Sequence, residues 1–157
     1  MTYTLEKAIW TDEDFAVMSF HDVRIRSWLA DEERFELMFD LDYLFQWVHP
    51  DVGETYFRFW IAPVTLVFED VHDVRIDVSS AQGALEIDRF HREEPTPTPN
   101  GVRVERKYVF SCQEGEISLV ATGYAMYVRR TPVLGPRQQL TLDERGGVRF
   151  ARALSSD

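Results

Sequence analysis

The side chains of this chain that could do chemistry are mainly histidines and aspartates. Eight of them fall at neighbouring or alternating positions: His21, Asp22, Asp40, Asp42, His49, Asp51, His72 and Asp73. Imidazole nitrogens and carboxylate oxygens bind metal ions that accept both ligand types, and a His–Asp pair can transfer protons in acid–base catalysis. Asp40 and Asp42 share one face of a strand. Together with His21 they define a candidate polar site for a metal-dependent or acid–base enzyme.

Strand geometry weakens the catalytic interpretation of the histidines. Adjacent side chains on a strand point to opposite faces, so neither adjacent His–Asp pair, at 21–22 and at 72–73, can chelate a metal from one side. His21 lies on an apolar face beside Val23 and is expected to be a core histidine. We therefore predict no catalytic residue, no metal ion and no cofactor.

Ion pairing explains Asp40 and Asp42 without a catalytic role. In a hairpin of the two surrounding segments, the apolar faces coincide when paired residue numbers sum to 64 or 66. Arg24 then lies opposite Asp40 or Asp42, and in the second register Arg26 lies opposite Asp40. Such a cross-strand pair contributes roughly 0.2–1 kcal/mol to stability. We therefore predict a structural, exposed ion pair that binds no metal.

Several other kinds of active site are excluded by the absence of their motifs. The eight glycines form neither a dinucleotide-binding fingerprint nor a phosphate loop, and no serine occupies a nucleophile elbow. The single cysteine, Cys112, excludes an internal disulfide and is expected to be a core thiol. These absences favour a protein that is not an enzyme.

The negative charge of the chain is concentrated in its first part. Residues 1–99 carry 21 acidic and 8 basic residues, whereas residues 100–157 carry 6 and 9, which gives the net charge of −10. Phosphate backbones repel such a surface, so we expect no direct binding to nucleic acid. The negative charge is explained either by a general role in solubility or by a face that binds a basic protein partner. The acidic residues expected in turns and loops of such a face are Asp31, Glu32, Glu33, Asp51 and Glu54.

Hydrophobic periodicity predicts a mainly β protein. Thr11 and Asp14 have the spacing of a capping box and predict one short helix over about 12–18. Strands are predicted by alternation or by continuous apolar character at 20–29, 35–47, 58–68, 71–78, 85–87, 102–112 and 117–128. We expect an antiparallel β-sandwich or curled sheet of six to seven strands with this short N-terminal helix.

One domain accounts for the chain length of 157 residues. Residues 1–130 are predicted to form a single antiparallel β domain. Residues 131–157 are predicted to be an irregular C-terminal extension, either packed on the domain or frayed, because Pro132, Gly135 and Gly146 interrupt regular structure. The longest uncharged stretch, 117–128, is shorter than the roughly 20 residues that span a membrane, and no signal peptide is evident. We expect a soluble, cytoplasmic protein.

Four segments carry a resemblance to known proteins: WTDEDFAVMSFHD at 10–22, MFDLDY at 38–43, LVFEDV at 66–71 and GYAMYVRRTP at 123–132. They resemble a family of small uncharacterised bacterial proteins. That family is in turn faintly similar to immunity proteins of polymorphic-toxin systems. The resemblance implies a binding role and assigns no catalytic residue.

Three functions are compatible with the sequence. The favoured one is a non-enzymatic protein-binding module whose acidic face neutralises a basic partner, such as a toxin. The first alternative is a metal-dependent or acid–base enzyme built around His21, Asp40 and Asp42. The second is a β domain that holds a small apolar ligand in a cavity lined by phenylalanines. The sequence leaves the oligomeric state open.

Overall fold

The computed structural model describes residues 2–155, within which eleven strands, one 3₁₀ helix and one short α-helix are formed. The strands are β1 (Ile9–Thr11), β2 (Arg24–Asp31), β3 (Glu36–Val48), β4 (Arg58–Glu69), β5 (His72–Val78), β6 (Leu85–Arg92), β7 (Thr96–Pro97), β8 (Val104–Cys112), β9 (Gly115–Ala121), β10 (Gly123–Val128) and β11 (Val133–Gly135). The 3₁₀ helix spans Asp12–Val17 and α1 spans Leu142–Arg145. In this part of the chain no helix combines the length and apolar character that crossing a membrane requires.

All strand pairs of the sheet are antiparallel, and neighbouring strands follow the order β1-β10-β4-β3-β2-β6-β8-β9-β5. β11 also pairs with β4, and β7 with β8. Phe68 of β4 contacts Phe110 of β8, although three strands separate these two in the sheet, so the sheet folds over onto itself. The mainly β, antiparallel prediction is confirmed.

The predicted count of six to seven strands is wrong for two reasons. β1, β7 and β11 have only two or three residues, which is too short to produce a periodic pattern. The segment 117–128, predicted as one strand, is divided at Thr122 into β9 and β10. β9 pairs with β5 and β8, whereas β10 pairs with β4 and β1, so the chain moves from one half of the folded sheet to the other.

The N-terminal helix forms where the capping box predicts it. The Thr11 side chain accepts from the backbone of the first turn, and the Thr11 N–H donates to Asp14 Oδ2 at 2.9 Å. The helix is of the 3₁₀ type and only six residues long, because Met18 returns to an extended conformation.

Aromatic rings fill the space between the two halves of the sheet. Phe39, Phe68, Phe90 and Phe110 contact one another with ring centroids 4.4–6.1 Å apart. These phenylalanines therefore fill the centre of the fold, whereas the apolar-ligand hypothesis needs them to line an open cavity. Cys112 is half-buried against this core, and burial raises the pKa of its thiol to about 11, which keeps it protonated.

The segment after Arg130 lies against the outer face of β3 and β4. β11 pairs with β4, and Leu140 is buried in a small cluster with Leu44, Phe59 and Ile61. The prediction that no regular element follows Arg130 is wrong, because a second capping box at Thr141 starts α1 and Gly146, with a φ of 74°, ends it. The last two residues of the predicted extension, 156 and 157, lie outside the described residues.

Candidate functional site

Asp40 and Asp42 lie on the outer face of β3 and are completely buried beneath the C-terminal segment. Arg145 Nη1 donates to Asp40 Oδ2 at 2.8 Å, and its Nε donates to Asp42 Oδ1 at 2.9 Å. Arg129 Nη2 donates to Asp40 Oδ1 at 2.8 Å. The backbone N–H groups of Leu140 and Arg149 also donate to these carboxylates. The two aspartates thus fasten the C-terminal segment to the sheet.

The two buried arginines respond differently to this environment. Burial opposes the charge of Arg145, but its hydrogen bonds and charge attraction to Asp40 and Asp42 outweigh burial and raise its pKa. Burial lowers the pKa of Arg129, which forms an ion pair with Asp40 and lies near the charge of Arg145. Arg145 is therefore the principal counter-ion of the cluster.

The predicted hairpin ion pair forms at Asp42, with Arg26, but the prediction that the two carboxylates are exposed is wrong because both are completely buried. The strands pair with residue numbers summing to 66 at Arg24 and Asp42, but a bulge at Arg26 then places Ser27 opposite Asp40. Arg26 Nη1 lies 3.3 Å from Asp42 Oδ2. The main partners of Asp40 are Arg129 and Arg145, which lie 89 and 105 residues away from it in the sequence. Because both carboxylates are inaccessible and already ion-paired, they form no polar active site with His21.

The prediction that His21 is a core residue is wrong. It lies in a turn before β2 with its side chain 60% exposed, stacked on Trp47 at a centroid distance of 6.4 Å. Asp22 has a left-handed φ of 67°. The chain therefore departs from the strand geometry on which the core prediction for His21 depends.

The five acidic residues proposed as a binding face lie at opposite ends of β3. Asp31 ends β2 and Glu32 and Glu33 follow it in the β2–β3 turn, whereas Asp51 and Glu54 are in the β3–β4 loop. The thirteen residues of β3 separate the two groups by ~40 Å along the strand. Asp31 Oδ1 accepts from the backbone of its own turn, at the N–H groups of Glu33 and Arg34, so its carboxylate is used locally.

An apolar groove opens beside the β2–β3 turn. It is a cavity of about 400 Å³, and the apolar residues that line it are Trp28, Ala30, Phe35, Leu37, Val71, Val74 and Ile76. Asp31, Glu32 and Glu36 line its rim. Phe35 is 65% exposed, and Trp28, Val74 and Ile76 are each about two-fifths exposed. Sequence periodicity assigns Trp28, Val74 and Ile76 to strands but does not show that their strands remain apart.

The groove lies between two strands that each have one unpaired edge. Among the described residues, β5 pairs with β9 only, and it ends the sheet. β2 pairs with β6 at Arg24 and Ile25 alone, so from Ser27 to Asp31 it has β3 as its single neighbour. Ile76 lies opposite the buried Ile117 and Trp28 opposite the buried Phe39, so the groove continues the core to the surface.

Two turns in strained conformations hold the end of the groove together. The Val71 N–H donates to the Phe35 carbonyl at 2.8 Å, which joins the β4–β5 turn to the β2–β3 turn. Phe35, Asp70 and Asp73 all have φ between 51° and 57°. A left-handed conformation is unfavourable for a bulky residue such as phenylalanine and is a feature of functional sites.

His72 fastens the first residue of β5 to β8. Its Nε2 lies 2.8 Å from Glu105 Oε2 and its Nδ1 lies 3.1 Å from Asp73 Oδ2. The hydrogen bond to Glu105, followed by the negative charges of Glu105 and Asp73, raises the pKa of His72 above its ordinary value of 6.5.

We expect this contact to make stability depend on pH. Because the folded-state pKa is raised, the contribution is complete below the unfolded pKa and is lost as pH rises through the folded pKa. The difference in unfolding free energy between the native protein and His72→Gln should be larger at about pH 5.5 than at about pH 8, by less than ~1 kcal/mol because the side chain is 44% exposed. Urea unfolding at both pH values measures it. An equal or larger difference at the higher pH contradicts the assignment.

Comparison with known proteins returns no relative. No family model matches the chain, and neither the curated proteins nor the solved structures contain a significantly similar one.

Proposed function

We propose that this chain is a non-enzymatic protein-binding module whose groove between β2 and β5 receives an extended, basic segment of a partner protein. One observation carries the proposal. The inner faces of two strands meet the solvent with exposed apolar side chains, between strand edges that no described strand covers. An acidic turn lies at the rim of this opening.

An extended segment is the occupant that suits such a groove. A strand added to a free sheet edge gains backbone hydrogen bonds, and its alternate side chains can enter pockets on one face. Trp28, Phe35 and Ile76 offer apolar surface for those side chains. An exposed apolar edge is a liability in a protein that leaves it uncovered, which supports a binding role.

Charge favours a basic partner. Glu32 and Glu33 are exposed at the β2–β3 turn and form no ion pair within residues 2–155. The chain as a whole carries a net charge of −10. An acidic rim accelerates encounter with a basic protein and opposes binding of an acidic one. The four sequence segments resemble a family that is itself faintly similar to toxin immunity proteins, which favours a basic toxin as the partner.

The test uses a capped peptide of alternating lysine and leucine, about as long as the seven residues of β5, in calorimetric titration. We expect the native protein to bind it, and Phe35→Asn to weaken binding about tenfold by removing an exposed aromatic anchor. Asparagine tolerates the left-handed φ of Phe35, so the variant should retain its fold. The double variant Glu32→Gln, Glu33→Gln should bind the peptide more weakly, and its affinity should depend much less on salt concentration.

Matched variants separate the groove from the rest of the surface. Val102→Asn removes another exposed apolar side chain, and Asp51→Asn with Glu54→Gln removes the acids at the other end of β3. Both controls should bind the peptide like the native protein. Equal weakening by the control and groove variants would contradict the proposal, as would equal affinity for a glutamate–leucine peptide.

A further inference from the structure

The turn before β2 brings a histidine and two aspartates together. A ring nitrogen of His21, a carboxylate oxygen of Asp22 and a carboxylate oxygen of Asp88 all lie within 4.8 Å of one another. On a strand, the adjacent side chains of residues 21 and 22 would point to opposite faces and could not chelate one ion. Both residues lie in a turn instead, and Asp22 Oδ2 approaches His21 Nε2 to 3.5 Å.

We propose that His21, Asp22 and Asp88 bind a divalent transition-metal ion of the Zn²⁺ type, through the imidazole Nε2 and one oxygen of each carboxylate. These are ligand atoms that Zn²⁺ accepts, and three protein ligands leave one position of its tetrahedral shell open. Ligand atoms at 2.0–2.2 Å from Zn²⁺ are separated by about 3.4 Å in a tetrahedron. The His21–Asp22 distance already has this value, and a carboxylate oxygen of the exposed Asp88 lies within 4.8 Å of both ligand atoms.

The imidazole is oriented for this role. His21 Nδ1 lies 2.9 Å from the backbone carbonyl of Asp88, to which it donates in the tautomer that leaves the Nε2 lone pair available. Metal-binding histidines characteristically donate their second nitrogen to such an acceptor, which fixes the ring orientation. The Trp47 ring lies nearly parallel to the imidazole, with an angle of 14° between the ring planes and the centroids 6.4 Å apart.

The two segments that carry the carboxylates are joined by backbone hydrogen bonds. The Asp22 N–H donates to the Ile87 carbonyl at 2.8 Å, and the Ile87 N–H donates to the Val23 carbonyl at 2.9 Å. Gln138 Nε2 donates to Asp22 Oδ2 at 3.1 Å and orients that side chain. Ligands held in place before binding lose little conformational freedom when the ion arrives.

The chain contains a second adjacent His–Asp pair that serves as a control. At His72 both ring nitrogens already face carboxylates, Nδ1 toward Asp73 and Nε2 toward Glu105. The two carboxylates therefore lie on opposite sides of the ring and do not converge on one point. The pair at 21–22 and the pair at 72–73 have the same sequence motif but only the first has the geometry of a chelate.

Calorimetric titration of the chelator-treated, dialysed protein with ZnCl₂ tests the proposal. We expect one Zn²⁺ per chain, and binding weakened about tenfold to a hundredfold by Asp22→Asn and by Asp88→Asn. Asp88 is exposed and asparagine tolerates the φ of Asp22, so both variants should fold. Asp73→Asn should bind Zn²⁺ like the native protein.

The tryptophan beside the site gives a second measurement. Loading with Cu²⁺ should quench the fluorescence of Trp47, which lies beside the His21 ring. The variant Trp47→Phe shows which part of the emission of the four tryptophans comes from Trp47. The variant His21→Gln should abolish the quenching. Absence of Zn²⁺ binding, binding that Asp88→Asn leaves unchanged, or tighter binding of Ca²⁺ than of Zn²⁺ would overturn the proposal.

Discussion

Replacing Asp40 by asparagine is expected to reduce the free energy of unfolding by about 3–5 kcal/mol. The substitution keeps the shape of the side chain but removes the negative charge that Arg145 and Arg129 share. Both guanidinium groups are shielded from water, so their positive charges would remain buried without a full counter-ion. This loss would be a large part of the stability of a domain of this size.

Urea unfolding followed by tryptophan fluorescence measures the effect of Asp40→Asn. Asp77→Asn, which changes an exposed aspartate of β5, is the matched control and should shift stability by no more than about 0.5 kcal/mol. Combining Asp40→Asn with Arg145→Gln should cost less than the sum of the two single changes, because the partners are coupled. A loss below ~1 kcal/mol for Asp40→Asn would show that the cluster is not buried as described.

Replacing Gly115 by alanine is expected to destabilise the fold by about 2 kcal/mol or more and to loosen β5. Gly115 has a φ of 147°, and an added Cβ would lie 2.1 Å from the Asp77 carbonyl oxygen and 2.8 Å from Val78 Cα. Both neighbouring atoms belong to the backbone of β5, which pairs with β9 at this point. The strand must therefore move away, and the groove that it borders would open.

Thermal unfolding and amide hydrogen exchange measure the consequence of Gly115→Ala. We expect the substitution to lower the Tm and to increase the rate of amide exchange more in residues 72–78 than in the central strand β3. Gly135→Ala is the control, since no atom lies within 4 Å of an added Cβ there and its φ is not left-handed. Similar exchange rates in β5 before and after the Gly115 substitution would be incompatible with this account.

The sequence was sufficient to predict local features of the fold. Alternation of apolar residues located the long strands, and the spacing of Thr11 and Asp14 located the 3₁₀ helix. The number of strands could not be predicted, because β7 has two residues and β11 has three. The division at Thr122 arises because β9 and β10 pair with different strands. Strand pairing is a tertiary property that leaves no local pattern in the sequence.

The candidate sites were predicted less well because they depend on long-range contacts. Asp40 and Asp42 were recognised as an ion-paired set, but Arg145 lies 105 residues from Asp40 and no spacing rule connects them. His21 was placed on a strand because its segment alternates, whereas Asp22 adopts a left-handed turn that turns the two side chains toward each other. The groove arises because β2 and β5 fail to pair, which periodicity cannot show.

Amide hydrogen exchange with and without the lysine–leucine peptide tests the binding function most directly. A peptide strand that adds to the groove forms backbone hydrogen bonds with the free edge it meets. The account predicts slower exchange in 27–31, in 72–78 or in both when the peptide is bound, with the loop 49–57 unchanged. Protection confined to the loop 49–57, or peptide binding without protection at either free edge, would contradict it.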